Sequence, residues 1–356
     1  MIISLKQKNN EVLTQISQFA RDVLTKDVAQ VVRLPGGRNS QIYKVECVDH
    51  TTCLAKVYFQ HNSDKRQRLG NEFFSLHFLW KNDMRSIPQP IAIDENISCA
   101  LYEFIRGEKI AMETLSMQDV EIAVGFLFEL DRLKSVEGSE RLMPASEAYF
   151  SIKEIVAHVE RRLARLKNLD NLKEYPTLRD YLFQLESFFK TLVAWMQNEC
   201  KAFRIDYDRD IDLGQQILSP SDFGFHNALR NREGDIIFLD FEYFGLDDPA
   251  KTISDFILHP AMELKDEFKN YFVTEMIERF DYNDQLKSRL RILYPLFGLK
   301  WCLIFLNEFV PSDFKRRQFA DHLMDQNAVH QVQLEKAQKM LIKIQNTYKD
   351  FPYARG

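Results

Sequence analysis

A chain of 356 residues, 45% hydrophobic and 28% charged, carries enough apolar material for a large core and is long enough for one big domain or two lobes. Its net charge of −5 and pI near 6.0 lack the basic excess that neutralising a phosphate backbone requires, which sets nucleic acid aside as the main partner. The opening residues show no secretory signal, the longest apolar run, Tyr294 to Leu306, is broken by Lys300 and too short to span a bilayer, and no membrane partner is expected.

Leu13, Ile16, Phe19, Ala20 and Leu24 recur at helical spacing and predict a short amphipathic helix, whereas the first ten residues show no clear period. Segments 30–34, 41–48 and 52–59, rich in Val, Ile, Tyr and Thr and punctuated by Gly36-Gly37 and Asp49-His50, predict consecutive antiparallel strands. A helix over 65–80 is stopped by Ile87-Pro88-Gln89-Pro90, and strands follow at 91–93 and 99–105. Beyond Gly107 the pattern turns helical, at 116–134, 145–167 and 178–200, interrupted by one strand over 236–241. Helices at 253–258, 263–280 and 285–309 and a long closing helix over 313–348 complete the chain, a β-rich front third on an α-rich remainder. The five cysteines are scattered without zinc spacing and read as reduced thiols of a cytoplasmic protein; nothing in the sequence bears on oligomeric state.

The strongest local signal is Ser219-Pro220-Ser221-Asp222-Phe223-Gly224-Phe225-His226-Asn227, which sets an Asp and an Asn five apart. A loop of that length can bring Asp222 to an acceptor hydroxyl, whose proton a positioned carboxylate removes, and Asn227 to a metal ion. Asp240 ends the strand thirteen residues further on, and with Asn227 it supplies the hard oxygen ligands magnesium takes. Glu242 could add another oxygen, direct or behind the first ligands.

In the front third, Lys56 stands inside the apolar strand Leu54-Ala55-Lys56-Val57-Tyr58, where a buried ammonium needs an anionic partner, and Glu72 on the following helix is the natural one. Gly36 and Gly37, with Arg38, Asn39 and Ser40, form a turn whose backbone amides can approach phosphate oxygens, although it is neither a GxGxxG nor a Walker A motif.

The order Gly-rich hairpin, strand Lys56, helix Glu72, Asp222-x4-Asn227 and Asp240 resembles the aminoglycoside phosphotransferase and choline kinase family over nearly the whole chain. The resemblance implies an α+β, bilobal protein-kinase-like fold: an N-terminal nucleotide-binding lobe over 1–104, a hinge at 105–110, and a helical catalytic and substrate-binding lobe over 111–356. It implies ATP or another nucleoside triphosphate with Mg2+, adenine held by the backbone of Glu103, Phe104 and Ile105, and Asp255 as the acidic position that buttresses the catalytic loop. The expected activity is transfer of the γ-phosphoryl group to a hydroxyl of a small soluble metabolite, such as an amino sugar, a sugar or a choline-like compound. Acidic residues at Glu263, Asp266, Glu267 and Asp321 would suit a cationic acceptor, and read equally as solvated helix faces.

One departure is Pro220, which stands where the family usually has a scaffold His. It opens a second reading, a nucleotide-binding regulatory module with little or no transferase activity. Protein substrates fit less well, because no Ala-Pro-Glu signature closes an activation segment after Asp240.

Overall fold

The computed structural model describes residues 2–37, 40–59, 67–282, 285–320 and 325–353, the side chains of 2–9 and 316–320 excepted. In chain order the elements begin α1 (Ile2–Leu24), β1 (Val28–Leu34), β2 (Ser40–Cys47), β3 (Thr52–Tyr58), α2 (Arg68–Lys81), β4 (Pro90–Asp94), β5 (Cys99–Glu103) and β6 (Gly107–Lys109). Next come α3 (Met117–Arg132), α4 (Ile152–Lys167), α5 (Pro176–Phe203), β7 (Ile217–Ser219), β8 (Ala228–Asn231), β9 (Ile236–Phe238) and β10 (Gly245–Asp247). The chain closes with α6 (Pro249–Leu258), α7 (Asp266–Phe280), α8 (Leu286–Phe305), α9 (Pro311–Ala320) and α10 (Gln326–Thr347). These elements form two compact units: Met1–Lys109 with Ala228–Tyr243 and Lys315–Leu323, and Ile110–Asn227 with Phe244–Phe314 and Met324–Gly356.

The first unit is an antiparallel sheet in the order β1-β2-β3-β5-β4. Side chains alternate between its faces. Cys53 and Ala55 of β3 join Tyr43, Val45, Cys99 and Leu101 in a core closed by Ile16 and Ala20 of α1. The same alternation turns Leu54, Lys56 and Tyr58 to the opposite face. A second, small sheet in the order β6-β8-β9 carries the chain into Asp240.

The second unit is mostly helical. α3 opens on a capping box in which Ser116 and Asp119 satisfy each other's backbone amides. α8 and the turn after it, Leu286–Phe309, are long and apolar enough to cross a bilayer, which the shorter run seen in the sequence did not suggest, but 83% of that window is buried inside the protein. Antiparallel β7 and β10 deliver Ser219 to the loop that holds Asp222 and deliver Asp247 to α6. Asp248 caps α6 through the Ala250 amide at 2.8 Å, and Arg289 of α8 pairs with its other oxygen.

Several elements differ from the sequence expectation. α1 starts at Ile2, and residues 145–151 are not helical: Glu147 takes a left-handed φ of +63° and Ser151 caps α4, accepting from the Glu154 amide. The closing segment is two helices, α9 and α10, the second begun by Asp325 accepting from the Asn327 amide. β7, β8 and β10 are three or four residues long, too short to show a period.

One buried histidine on α4 gives a pH prediction. His158 Nε2 accepts from Arg162 Nε at 2.7 Å, and burial, then the Arg162 charge, push its pKa down to about 3. Below the unfolded value near 6.5 the unfolded chain binds a proton the folded chain refuses, so stability is lost as pH falls from there toward about 3. The loss is about 1.4 kcal/mol per pH unit within that window. Urea midpoints at pH 6.5 and 4.5 check it, and in His158→Gln the slope should be correspondingly shallower.

Candidate functional site

In the first unit, period two puts Lys56 under α2, where its ammonium lies 2.7 Å from Glu72 Oε2 and 2.8 Å from Asp240 Oδ1. Tyr58 donates to the same Glu72 oxygen at 2.6 Å, and Tyr58 and Tyr102 share a hydroxyl contact of 2.8 Å. The second Glu72 oxygen accepts the Phe241 amide at 3.3 Å, tying α2 to the segment that carries Asp240. Burial alone would favour a neutral amine, but Asp240 and Glu72 more than reverse it, and Lys56 is held well above the usual lysine range. Glu72 is raised by burial, an effect Lys56 opposes.

Asp240 lies past the end of β9, in a left-handed turn at φ +65°, a conformation Asp tolerates better than most residues. Its side chain is 35% exposed, against 2% for Glu242, which lies 3.5 Å from Arg68. Burial and the nearby Asp240 push Glu242 up to about 7. Ligand atoms of Glu72, Asp240 and Glu242 lie within 4.8 Å of one another, an oxygen set suited to a hard cation.

At the hairpin between β1 and β2, Gly37 has φ +80°, and a Cβ there would collide with the Ser40 carbonyl oxygen, so only glycine fits. Gly36 is also left-handed, and Ser40 is buried at the start of β2; Arg38 and Asn39 lie outside the described residues. Glu103 closes β5 by exchanging bonds with Gln89, its amide donating to the Gln89 carbonyl and its carboxylate accepting the Gln89 amide. Phe104, with Lys44 over its ring, and Ile105 follow outside any helix or strand.

In the second unit, Asp222 is gathered by its own loop. Asn227 Nδ2 donates to the Asp222 carbonyl at 2.9 Å and to Oδ2 at 3.3 Å, so the amide oxygen is the atom Asn227 could offer a metal. The loop accommodates Pro220 without loss: the Ser221 amide donates to Ser219 Oγ at 3.0 Å and the Asp222 amide to the Pro220 carbonyl at 2.9 Å. Ser221 takes the left-handed φ of +68° this turn needs, and Lys251 donates to its hydroxyl at 2.8 Å.

His226 Nε2 and His259 Nε2 each stand 3.3 Å from Asp222 Oδ1, their rings stacked at 3.6 Å. Burial would raise the Asp222 carboxyl, but these two imidazoles more than reverse that and hold it well below the usual carboxylate range. Behind them Asp255 accepts from Trp301 Nε1 at 2.9 Å and pairs with Lys300 at 3.2 Å and Lys251 at 3.6 Å. Trp301 therefore belongs to the packed interior and meets His259 edge-on. His259 and Lys251 carry no local spacing that links them to Asp222, so the sequence does not single them out.

The acidic residues at the start of α7 are solvated: Glu263, Asp266 and Glu267 are exposed, the last two beside Lys269 and Lys265, and Asp321 lies outside the described residues.

No protein-family model matches the sequence, and no curated protein matches it significantly. Solved structures do. Spectinomycin phosphotransferase in complex with ADP and spectinomycin is similar at TM-score 0.58 and 15% identity, over 91% of this chain and 98% of that one. Choline kinase from Cryptosporidium parvum is similar at TM-score 0.55 and 13% identity, over 95% and 99%. Choline kinase from Streptococcus pneumoniae gives 0.55 and 15%, over 93% and 98%. At such identities the likeness is one of fold, and the chain has the fold shared by aminoglycoside phosphotransferases and choline kinases.

Proposed function

We propose that the protein is an ATP-dependent phosphotransferase acting in the cytoplasm on a hydroxyl of a small soluble metabolite. The observation that carries this reading is the buried Lys56 held between Glu72 and Asp240, which keeps an ammonium and a partly exposed carboxylate at fixed separation where triphosphate oxygens and a divalent cation need them. Lys56 takes phosphate oxygens, Glu72 holds Lys56, and the hairpin from Gly36 to Ser40 offers backbone amides to the phosphates. The backbone of Glu103 to Ile105 takes the adenine.

Asn227 and Asp240 supply an amide and a carboxylate oxygen that suit Mg2+, and magnesium when bound neutralises charge on the phosphate oxygens. The acceptor oxygen bonds to the γ-phosphorus, the bond from phosphorus to the bridging oxygen breaks with its electron pair leaving on ADP, and the acceptor's proton passes to Asp222. Catalysis is then mainly positioning and charge neutralisation. The similar structures include a phosphotransferase in complex with ADP and a choline kinase, which supports nucleotide use and a small acceptor.

The test is a coupled ADP-release assay with ATP and Mg2+ against amino sugars, sugars and choline-like alcohols. Release dependent on one acceptor class is the expected result. Thermal stabilisation by ATP and Mg2+ with no release across the panel would instead identify a regulatory nucleotide-binding module. Lys56→Met should weaken ATP binding in a titration by about tenfold or more, equivalent to ~1.4 kcal/mol.

A further inference from the structure

We propose, on the reading that Asp222 is the proton acceptor, that His226 and His259 are positioning residues whose two Nε2–H groups fix Oδ1 of Asp222 and leave Oδ2 to take the acceptor's proton. The tautomers follow from what the other ring nitrogens touch. His259 Nδ1 accepts the Ala261 amide at 3.2 Å, so in the neutral ring the single proton sits on Nε2, 3.3 Å from Asp222 Oδ1. His226 Nδ1 is buried without a hydrogen-bond partner among the described residues. A proton there would be a buried unsatisfied donor, so the neutral ring carries it on Nε2, also 3.3 Å from Oδ1.

Oδ1 thus receives two donors, while among the described residues Oδ2 receives the Asn227 amide alone, at 3.3 Å, and belongs to a side chain 36% exposed. The stack holds the pair in register, since neither ring can turn without displacing the other. Trp301 meets His259 at 88° and 4.8 Å and is fixed by Asp255 at 2.9 Å, which gives Asp255 its route to the catalytic carboxylate. A brace from residues after Asp222 does the work for which Pro220 has no ring nitrogen.

The trio also has the spacing of a cation site, its ligand atoms lying within 4.8 Å of one another. Hydrogen bonding argues against that occupant. A metal on His259 Nε2 would remove the one proton of the neutral ring while Nδ1 still faces an N–H, leaving an imidazolate.

Two measurements decide the matter. Nitrogen-15 NMR of the labelled protein, assigned with His226→Gln and His259→Gln, should show Nε2 protonated and Nδ1 bare in both rings, with both signals moving in Asp222→Asn. A proton on His259 Nδ1, or loss of both Nε2–H signals on adding one equivalent of Zn2+, overturns the proposal. In kinetics, His259→Leu should lower kcat about 10- to 100-fold with KM for ATP within about twofold, and His259→Gln, which keeps a donor, should recover most of it. Equal losses in Leu and Gln, or a kcat unchanged in Leu, overturn it. The NMR result needs no turnover: a chain that transfers no phosphoryl group yet shows these tautomers loses the proposed function and keeps the brace.

Discussion

Asp222→Ala is expected to lower turnover by about 10²- to 10⁴-fold while ATP and Mg2+ still raise the melting temperature. Nucleotide contacts in the proposed reaction come from Lys56, the hairpin and the segment after β5, and Asp222 is none of these, so the variant separates chemistry from binding. The alanine also strips the shared acceptor from His226 and His259, which by itself could loosen the loop. Asp222→Asn controls for this, because an amide keeps an oxygen for the two imidazoles and gives up the charge and the 3.3 Å acceptor for Asn227 Nδ2. Both variants should fall together in turnover, with the asparagine protein melting near the native temperature. Turnover within about twofold of native in Asp222→Asn would remove this carboxylate from the mechanism.

How much of this was legible in sequence depends on the range of the interactions involved. Lys56 and Glu72 could be paired from the text because a strand alternates, a helix follows, and a buried ammonium demands an anion. Asp240 stood out in the sequence as a candidate but was misplaced as a strand end: β9 stops at Phe238, and the left-handed turn that aims the carboxylate has no glycine or proline to announce it. The start of α4 was misjudged because residues 145–150 look helical in composition while Glu147 sits at positive φ. His259 was out of reach for a different reason. Its contact with Asp222 is made by packing α6 beneath the loop, and one sequence carries no signal for a pairing across 37 positions. Pro220 read as a lost support, yet the Ser221 and Asp222 amides find acceptors inside the loop, and Lys251 and His259 reach it from elsewhere in the chain.

That dependence on buried neighbours gives Lys251→Met the largest expected effect on stability. The Lys251 ammonium is 1% exposed, 2.5 Å from Asp247, 3.6 Å from Asp255 and 2.8 Å from the Ser221 hydroxyl. Burial would push its proton off, but Asp247 and Asp255 more than reverse this and keep it charged. Asp247, with no exposed side-chain surface, is raised by burial and held down chiefly by Lys251. Methionine fills the same volume but leaves that carboxylate buried without its cation, a change that costs about 3–5 kcal/mol. For a unit of this size the melting temperature should fall by about 6–20 °C. Replacing both partners by apolar residues, Lys251→Met with Asp247→Leu, should recover part of the loss, since no buried charge is then orphaned. Turnover should not recover with it, because Ser221 loses the donor that holds its left-handed turn one residue before Asp222. A single variant that melts within about 2 °C of the native protein would show that water or rearrangement satisfies Asp247, and the pair would then not be the anchor of the loop that holds Asp222.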